Sequence, residues 1–429
     1  MTMIRPETEM KDSGIQWLGN IPKEWSIIKG KYILKQLSRS VLESDNVVTC
    51  FRDGEVTLRS NRRELGFTNS LKEIGYQGVE PGDLVVHGMD GFAGAIGISD
   101  SRGKMSPIIN VLESGECKKY LMYYLRGLAF VNVFLGLSTG IRERSCDLRW
   151  NKLANLEYTI PPLSEQQAIA DYLDETCSKI DEIIAEAKAS IDEYKELKQS
   201  VIFEAVTKGL DKNVNVYKTG NSWIPSLPVG IKLSRFGLHH DIILGKMLCP
   251  NPRNEEDTLE PYYCAANVHF DGVTGGLKTM WFNSKEKETY VVHKNDMLIV
   301  EGGAGAGGAA IMNEEPPVST FVQNSIMIVR SHMKDNRYSC YLVQALVKNK
   351  YVDVVCNKAT IPHFTKEKVS YMPYPVFNRN ERNEIANYLD ERCKQIDSLI
   401  AEKESLINDL EAYKKSLIYE VVTGKRRVV

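Results

Sequence analysis

Apolar side chains recur in alternating three- and four-residue steps at Cys177, Ile180, Ile184, Ala187, Ile191 and Tyr194. The same steps return at Cys393, Ile396, Ile400, Lys403, Ile407 and Leu410. This spacing gathers one stripe on a helix face and predicts a coiled-coil seam of about three heptads in each segment. Neither segment contains Gly or Pro until Gly209 and Gly424 close it. Ser164, ahead of Glu165 and Gln167, predicts a capping-box start for the first helix. Each helix would be roughly 64 Å long at ~1.5 Å per residue. A rod of that length cannot fold back into one small domain. The simplest burial is the two rods packing on each other, antiparallel.

The two segments are copies. Glu165 to Thr207 returns as Glu381 to Thr423 without a gap, each residue shifted by 216, with 20 identities in 43 positions. Other landmarks repeat upstream. SGIQWLGNIP from Ser13 recurs as TGNSWIPSLP from Thr219. The strand-like Glu80–Val86 is echoed by Lys294–Val300, and each is followed by a glycine-rich stretch, Gly88 to Gly97 and Gly302 to Gly308. Both halves approach their helix through a proline segment, Ile160–Leu163 and Tyr374–Phe377. Outside these landmarks the halves look unrelated. Each half therefore reads as a shared frame, a divergent α+β domain and a shared helix, with an internal pseudo-twofold between the halves.

Composition narrows the class. The 429 residues suit two to four domains, and 43% hydrophobic with 26% charged residues is ordinary for a globular chain. The charged start MTMIRPETEMKDSG predicts no signal peptide, and no apolar run reaches membrane-helix length. Nine scattered Cys without a CxxC pair predict reduced thiols, a cytoplasmic chain and no structural zinc. The formal net charge of −2 does not announce a nucleic-acid binder, but its distribution is uneven. Residues 165–207 carry 4 Lys/Arg against 11 Asp/Glu, and 381–423 carry 6 against 10. A polyanionic ligand would be met by the regions between the acidic rods.

A tryptophan-proline leader (SGIQWLGNIPKEW), a variable domain, PPLSEQQAIADYLD running into a long helix, and a second round of all three resemble the specificity subunit of Type I restriction-modification systems. The resemblance spans essentially the whole chain. The second copy departs from it, with FNRNERNEIANYLD where the first has PLSEQQAIADYLD. It implies two α/β target recognition domains, at 1–164 and 211–380, joined by spacer helices at 165–210 and 381–429 that form an antiparallel coiled coil. Each domain would read one half of a split, asymmetric site in double-stranded DNA. The helices would set the spacing and bind two modification (methyltransferase) subunits. S-adenosylmethionine, ATP and Mg would belong to those and to the restriction/translocase subunits, with none in this chain and no membrane partner. Two related halves also suit a ligand that itself has two related halves.

The residues agree that the chemistry lies elsewhere. Asn251-Pro252-Arg253-Asn254 lacks the second proline and the aromatic of an amino-methyltransferase loop and predicts an ordinary turn. Gly303 to Gly308 fits GxGxxG, but Pro316 and Pro317 follow too soon for the helix that a dinucleotide site needs. No phosphate loop and no HExxH occur. Bases are distinguished by bidentate Arg, Lys, Asn and Gln, and phosphates take Lys, Arg, Ser and Thr. On that basis the DNA-contacting candidates are Arg59, Arg62 and Arg63, then Thr139, Arg142 and Arg144, and in the second half Lys358, Thr360, His363 and Lys366. Each cluster could equally be a solvated surface or a brace on the helix. The coiled-coil interface candidates are Ile180, Ile184, Ile191, Ile396, Ile400 and Ile407. Two other classes compete: a coiled-coil scaffold that does not bind DNA, and a self-contained methyltransferase or nuclease.

Overall fold

A computed structural model describes residues 3–62, 73–136, 148–356 and 362–428. The chain divides into two compact units, Met1–Lys188 with Lys403–Val429, and Ala189–Glu402. Each unit therefore takes one part of each long helix.

In the first unit a four-stranded antiparallel sheet runs in the order Ile96–Ile98, Leu84–His87, Ile109–Ser114, Leu34–Gln36. Its centre is buried on both faces, because period-2 alternation sends neighbours opposite ways. Leu84 and Val86 enter a core with the helix Lys118–Phe130, whereas Val85 joins Val48, Cys50 and Val56 of a hairpin on the other side. Ser26–Lys29 pairs with Glu157–Ile160 where the chain enters the first long helix.

The second unit repeats this strand for strand. Its sheet runs Ala309–Ile311, Met297–Val300, Ile326–Ser331, His240–Leu244. Met297 and Ile299 face the helix Arg337–Lys348, and Leu298 and Val300 face away. Lys232–Arg235 pairs with Pro373–Val376. The shared frame is thus larger than the sequence landmarks: regions that look unrelated in sequence have one topology. The halves diverge on the outer face. There the second unit carries the sheet Lys278–Phe282, Thr258–Tyr263, Phe321–Val322, and the first carries two separate strand pairs, Val48–Cys50 with Val56–Leu58 and Gln77–Val79 with Gly103–Met105.

The long helices span Leu163–Lys208 and Arg379–Val422. In the first unit Leu173 and Cys177 share a core with Leu417, Ile418 and Val421. In the second, Ile202 and Val206 share one with Ile385, Leu389 and Cys393. The helices are therefore antiparallel within each unit, as expected if the pseudo-dyad crosses them. One ion pair marks the register twice: Lys414 Nζ meets Asp181 at 2.6 Å in the first unit, and Lys198 Nζ meets Asp397 at 2.6 Å in the second. Both residues of the second pair are the 216-residue counterparts of the first.

The helix ends are built from the same parts. Gly209 and Gly424 adopt φ of +74° and +73°, a left-handed stop that a side chain would strain. Beside each stop a buried tyrosine donates to a last-turn carbonyl: Tyr120 Oη to Val422 O (3.2 Å), and Tyr338 Oη to Val206 O (2.8 Å). The starts differ. Ser164 does not cap the first helix, which begins at Leu163 with Glu165 N and Gln166 N donating to Pro162 O. The capping box belongs to the second helix, where Asn378 and Glu381 exchange backbone-to-side-chain bonds of 2.9 and 3.0 Å. Among the described residues no helix is long and apolar enough to cross a membrane.

Candidate nucleic-acid interface

In both units the glycine stretch is the turn between two antiparallel sheet strands. Leu84–His87 turns into Ile96–Ile98 through Gly88–Gly94, and Met297–Val300 turns into Ala309–Ile311 through Gly302–Gly308. The second is a tight turn with no helix behind it, so it cannot seat a pyrophosphate on a helix N-terminus. The glycines are needed for space. A Cβ on Gly94 (φ +94°) would lie 2.7 Å from Arg52 O, and one on Gly307 (φ +84°) 2.8 Å from Val352.

The segment that precedes the long helix returns onto this turn in both units. Leu148 N donates to Gly88 O at 2.8 Å, and Asn110 Nδ2 donates to both Leu148 O and Val86 O. In the second unit Phe364 N donates to Glu301 O at 2.6 Å and Gly303 N to Pro362 O at 3.3 Å. Two features about 60 residues apart in sequence thus meet at one end of each sheet. Asn110 and Glu301 carry part of this junction, and sequence reading missed both. An isolated Asn in an apolar strand was the signal available for the first.

The hairpin Val48–Leu58 of the first unit lies alongside its turn. Arg52 Nη2 pairs with Asp90 at 2.8 Å. Burial, opposed by Asp90 and reinforced by Arg52, pulls the His87 pKa below its usual value. His87 Nδ1 then accepts from Asp90 N at 3.0 Å and shapes the turn. Arg59 and Arg62 follow this hairpin. Arg59 Nε reaches Thr49 Oγ1 at 3.4 Å. Arg62 pairs with Asp53 (2.7 Å) and Glu55 (3.1 Å) and lies 4.2 Å over the Phe51 ring. Much of its charge is therefore engaged within the hairpin.

In the second unit His363 bridges to Gly302, and its Nδ1 sits 3.2 Å from Glu301. Lys366 opens the short helix Lys366–Ser370 and lines a shallow cleft with Arg330 and Asp241. Arg59 and Arg62 are thus brought together in one unit, and His363 and Lys366 lie near each other in the other. Arg63, Thr139, Arg142, Arg144, Lys358 and Thr360 lie outside the described residues.

Along the long helices Ile180, Ile184, Ile191, Ile396 and Ile407 are buried, and Ile400 is half-buried. One flank of the seam is also apolar but exposed. It carries Ile183, Leu406 and Tyr413 in the first unit and Leu197 and Leu399 in the second, all at the heptad position just before a seam residue. Among the described residues no group of three or more His, Cys, Asp or Glu is placed to hold a metal ion.

No family model matches the chain. It is 24% identical over 367 residues, covering 84% of this chain and 77% of the relative, to the "Putative type I restriction enzyme MjaX specificity subunit" of Methanocaldococcus jannaschii. Its fold matches a chain from a structure on complex assembly and conformational transition of the type I R-M system, with a TM-score of 0.71, 14% identity, and coverage of 94% of this chain and 99% of that one. It also matches the HsdS subunit from Thermoanaerobacter tengcongensis, with a TM-score of 0.54, 14% identity and coverage of 94% and 98%. The fold is that of Type I specificity subunits. The sequence is similar to the Methanocaldococcus jannaschii relative over most of its length, in the direction the resemblance implied.

Proposed function

We propose that this chain is the DNA-specificity subunit of a Type I restriction-modification complex and is not itself an enzyme. Each globular domain, 1–164 and 211–380, reads one half of a bipartite, asymmetric site. The helices at 165–210 and 381–429 set the spacing and dock two modification subunits. Those subunits and the restriction/translocase subunits supply S-adenosylmethionine, ATP and Mg chemistry.

One observation carries this reading: two units of identical sheet order bear unlike outer faces. A duplicated frame with divergent faces suits a ligand with two different halves, and a scaffold would have no use for the divergence. The junction of glycine turn and return segment is the DNA-facing end of each domain. It is where backbone approaches without side-chain bulk, with His363 against the second turn and Arg62 on the hairpin beside the first in support of this reading. Arg59, Arg62 and Arg63 serve the first half-site with Thr139, Arg142 and Arg144, and Lys358, Thr360, His363 and Lys366 serve the second. The exposed apolar flank of the helices is the docking surface for helical segments of the modification subunits, because heptad-spaced apolar residues on a rod are covered by another helix.

The test is a duplex-binding titration of the chain assembled with its modification subunits. A salt-dependent shift is expected. Arg142→Ala with Arg144→Ala should weaken it while leaving assembly intact. Purified chain alone should not bind S-adenosylmethionine. Assembly without DNA binding would favour the scaffold reading, and cofactor binding by the isolated chain would favour a self-contained methyltransferase.

A further inference from the structure

Each unit contains a cleft between its domain helix and the long-helix pair, and the two clefts are copies. The first, about 480 Å³, is lined by Tyr123, Asp174, Cys177, Asp181 and Lys414. The second, about 1120 Å³, is lined by the counterparts Tyr341, Asp390, Cys393, Asp397 and Lys198. At each cleft a tyrosine and a cation of the domain helix converge on one aspartate of the long helix. Tyr123 Oη donates to Asp174 Oδ1 at 2.8 Å, and Lys119 Nζ pairs with Oδ2 of the same carboxylate. Tyr341 Oη donates to Asp390 Oδ1 at 2.9 Å, and Arg337 Nη1 pairs with Oδ2 at 2.8 Å. Burial, with the aspartate bond behind it, pushes both tyrosine pKa values up, so both hydroxyls remain donors.

Most of the remaining contact between domain and helices is apolar and non-directional, and the other hydrogen bond common to both units, Tyr120 Oη to Val422 O and Tyr338 Oη to Val206 O, sits at a helix end where it can serve as a pivot. A pivot with apolar packing around it leaves the angle to be fixed further along the helix. A charge-assisted bond at the edge of a cleft does fix it, because a change of angle lengthens the bond directly. We propose that Tyr123–Asp174 and Tyr341–Asp390 are positioning latches that set the angle at which each domain leaves its helices, and so the spacer length the subunit accepts. This rests on the DNA-reading function proposed above. The wider cleft leaves the second domain more room to turn when its latch is open.

The experiment maps adenine methylation genome-wide for the assembled complex carrying Tyr123→Phe, Tyr341→Phe, or both. These substitutions remove one oxygen each. The half-sites should stay unchanged while methylation at sites one base pair off the wild-type spacing rises roughly tenfold, the effect of losing about one charge-assisted hydrogen bond. Tyr341→Phe should act more strongly than Tyr123→Phe. Asp390→Asn, which keeps an acceptor, should restore much of the wild-type spacing preference relative to Asp390→Ala. Unchanged spacing in the double variant overturns the latch, as does altered half-site identity or unfolding of the phenylalanine variants, each of which marks a purely structural role. If the wild-type complex yields no bipartite motif, the DNA-reading function fails first and the latch falls with it.

Discussion

The two units agree most closely where a domain meets the long helices and least closely on the outer face and in buried polar chemistry. Tyr120 and Tyr338 reach the same last-turn carbonyl, and Asp181–Lys414 is duplicated as Lys198–Asp397. Even a substituted position keeps its bond. Arg126 Nη2 donates to Asp53 O in the first unit, and its counterpart Gln344 Nε2 donates to Phe270 O in the second, each holding the tip of an outer hairpin. Where no bond is shared, the units have separated. Leu34 of the first sheet corresponds to His240 of the second, each in register with a serine, Ser114 or Ser331. The attachment of domain to rod is held fixed, and the domain's interior and outer surface are free to vary. That division is what a reader with exchangeable domains requires.

His240 heads a polar chain in the second unit that has no counterpart among the described residues of the first. Arg382 Nη1 donates to Tyr374 Oη at 2.6 Å, Tyr374 Oη lies 3.4 Å from Ser339 Oγ, and Ser339 Oγ lies 2.8 Å from His240 Nε2. His240 Nδ1 is 2.9 Å from Phe236 O, a carbonyl that can only accept. Nδ1 therefore carries the proton, Nε2 accepts from Ser339, and Ser339 accepts from Tyr374. Burial above all, against the Phe236 bond and with His239 and Arg382 adding to it, pulls the His240 pKa down to about 4. A proton on Nε2 would oppose every donor in the chain.

The comparison can be broken most severely by exchanging one domain. Replacing residues 23–150 with the matching domain of a known Type I specificity subunit should change one half of the methylated motif completely and leave the other half unchanged. A change in both halves would show that the units do not read independently.

The next largest effect is on stability and belongs to the second unit alone. The unfolded histidine takes its proton near 6.5, and the folded one takes it near 4. Stability is therefore full above pH 6.5, falls as pH drops through the window to about 4, and levels off below. The loss is at most about 3 kcal/mol, from roughly 1.4 kcal/mol per pKa unit. Denaturant melts at pH 7 and pH 4.5 should show it, with a smaller pH-dependent loss in His240→Leu, which copies the first unit. Equal acid sensitivity of the two proteins would remove His240 from the account.

Tyr120→Phe and Tyr338→Phe sharpen the likeness. Each should cost about 1–2 kcal/mol, because a buried carbonyl loses its hydroxyl donor: Val206 O in the second unit and Thr159 O in the first, where Val422 O keeps the Thr159 hydroxyl. Thermal melts should show similar losses for the two, and a marked difference would mean that the helix ends are not equivalent. The smallest effect is expected from Asp181→Asn and Asp397→Asn. These exposed pairs are worth on the order of 0.2–1 kcal/mol each, and the two losses should match within error in the same melts.

Much of the frame is legible in the sequence, because the helices repeat with a 3-4 period and the 216-residue shift preserves the seam. The shared sheet is legible at one strand only, where Glu80–Val86 is echoed by Lys294–Val300. Leu34–Gln36 and His240–Leu244 occupy the same edge with no common residue pattern, since an edge strand is fixed by its pairing partner more than by its own side chains. The meeting of glycine turn and return segment joins Gly88 to Leu148 and Glu301 to Phe364, contacts that no local pattern announces. The helix start was misread because Pro162 O accepts where a Ser164 side chain was expected. Of the basic clusters, Arg62 was legible as an exposed charge, but its carboxylates at 53 and 55 became partners only through the hairpin between them.

The most direct test of the central claim is adenine methylation mapped across the genome of cells carrying this chain with its modification subunits, against cells lacking only this chain. The account predicts methylation at one asymmetric motif split by a fixed unspecified spacer, lost entirely when the chain is absent. A contiguous motif, or methylation that persists without the chain, would contradict it.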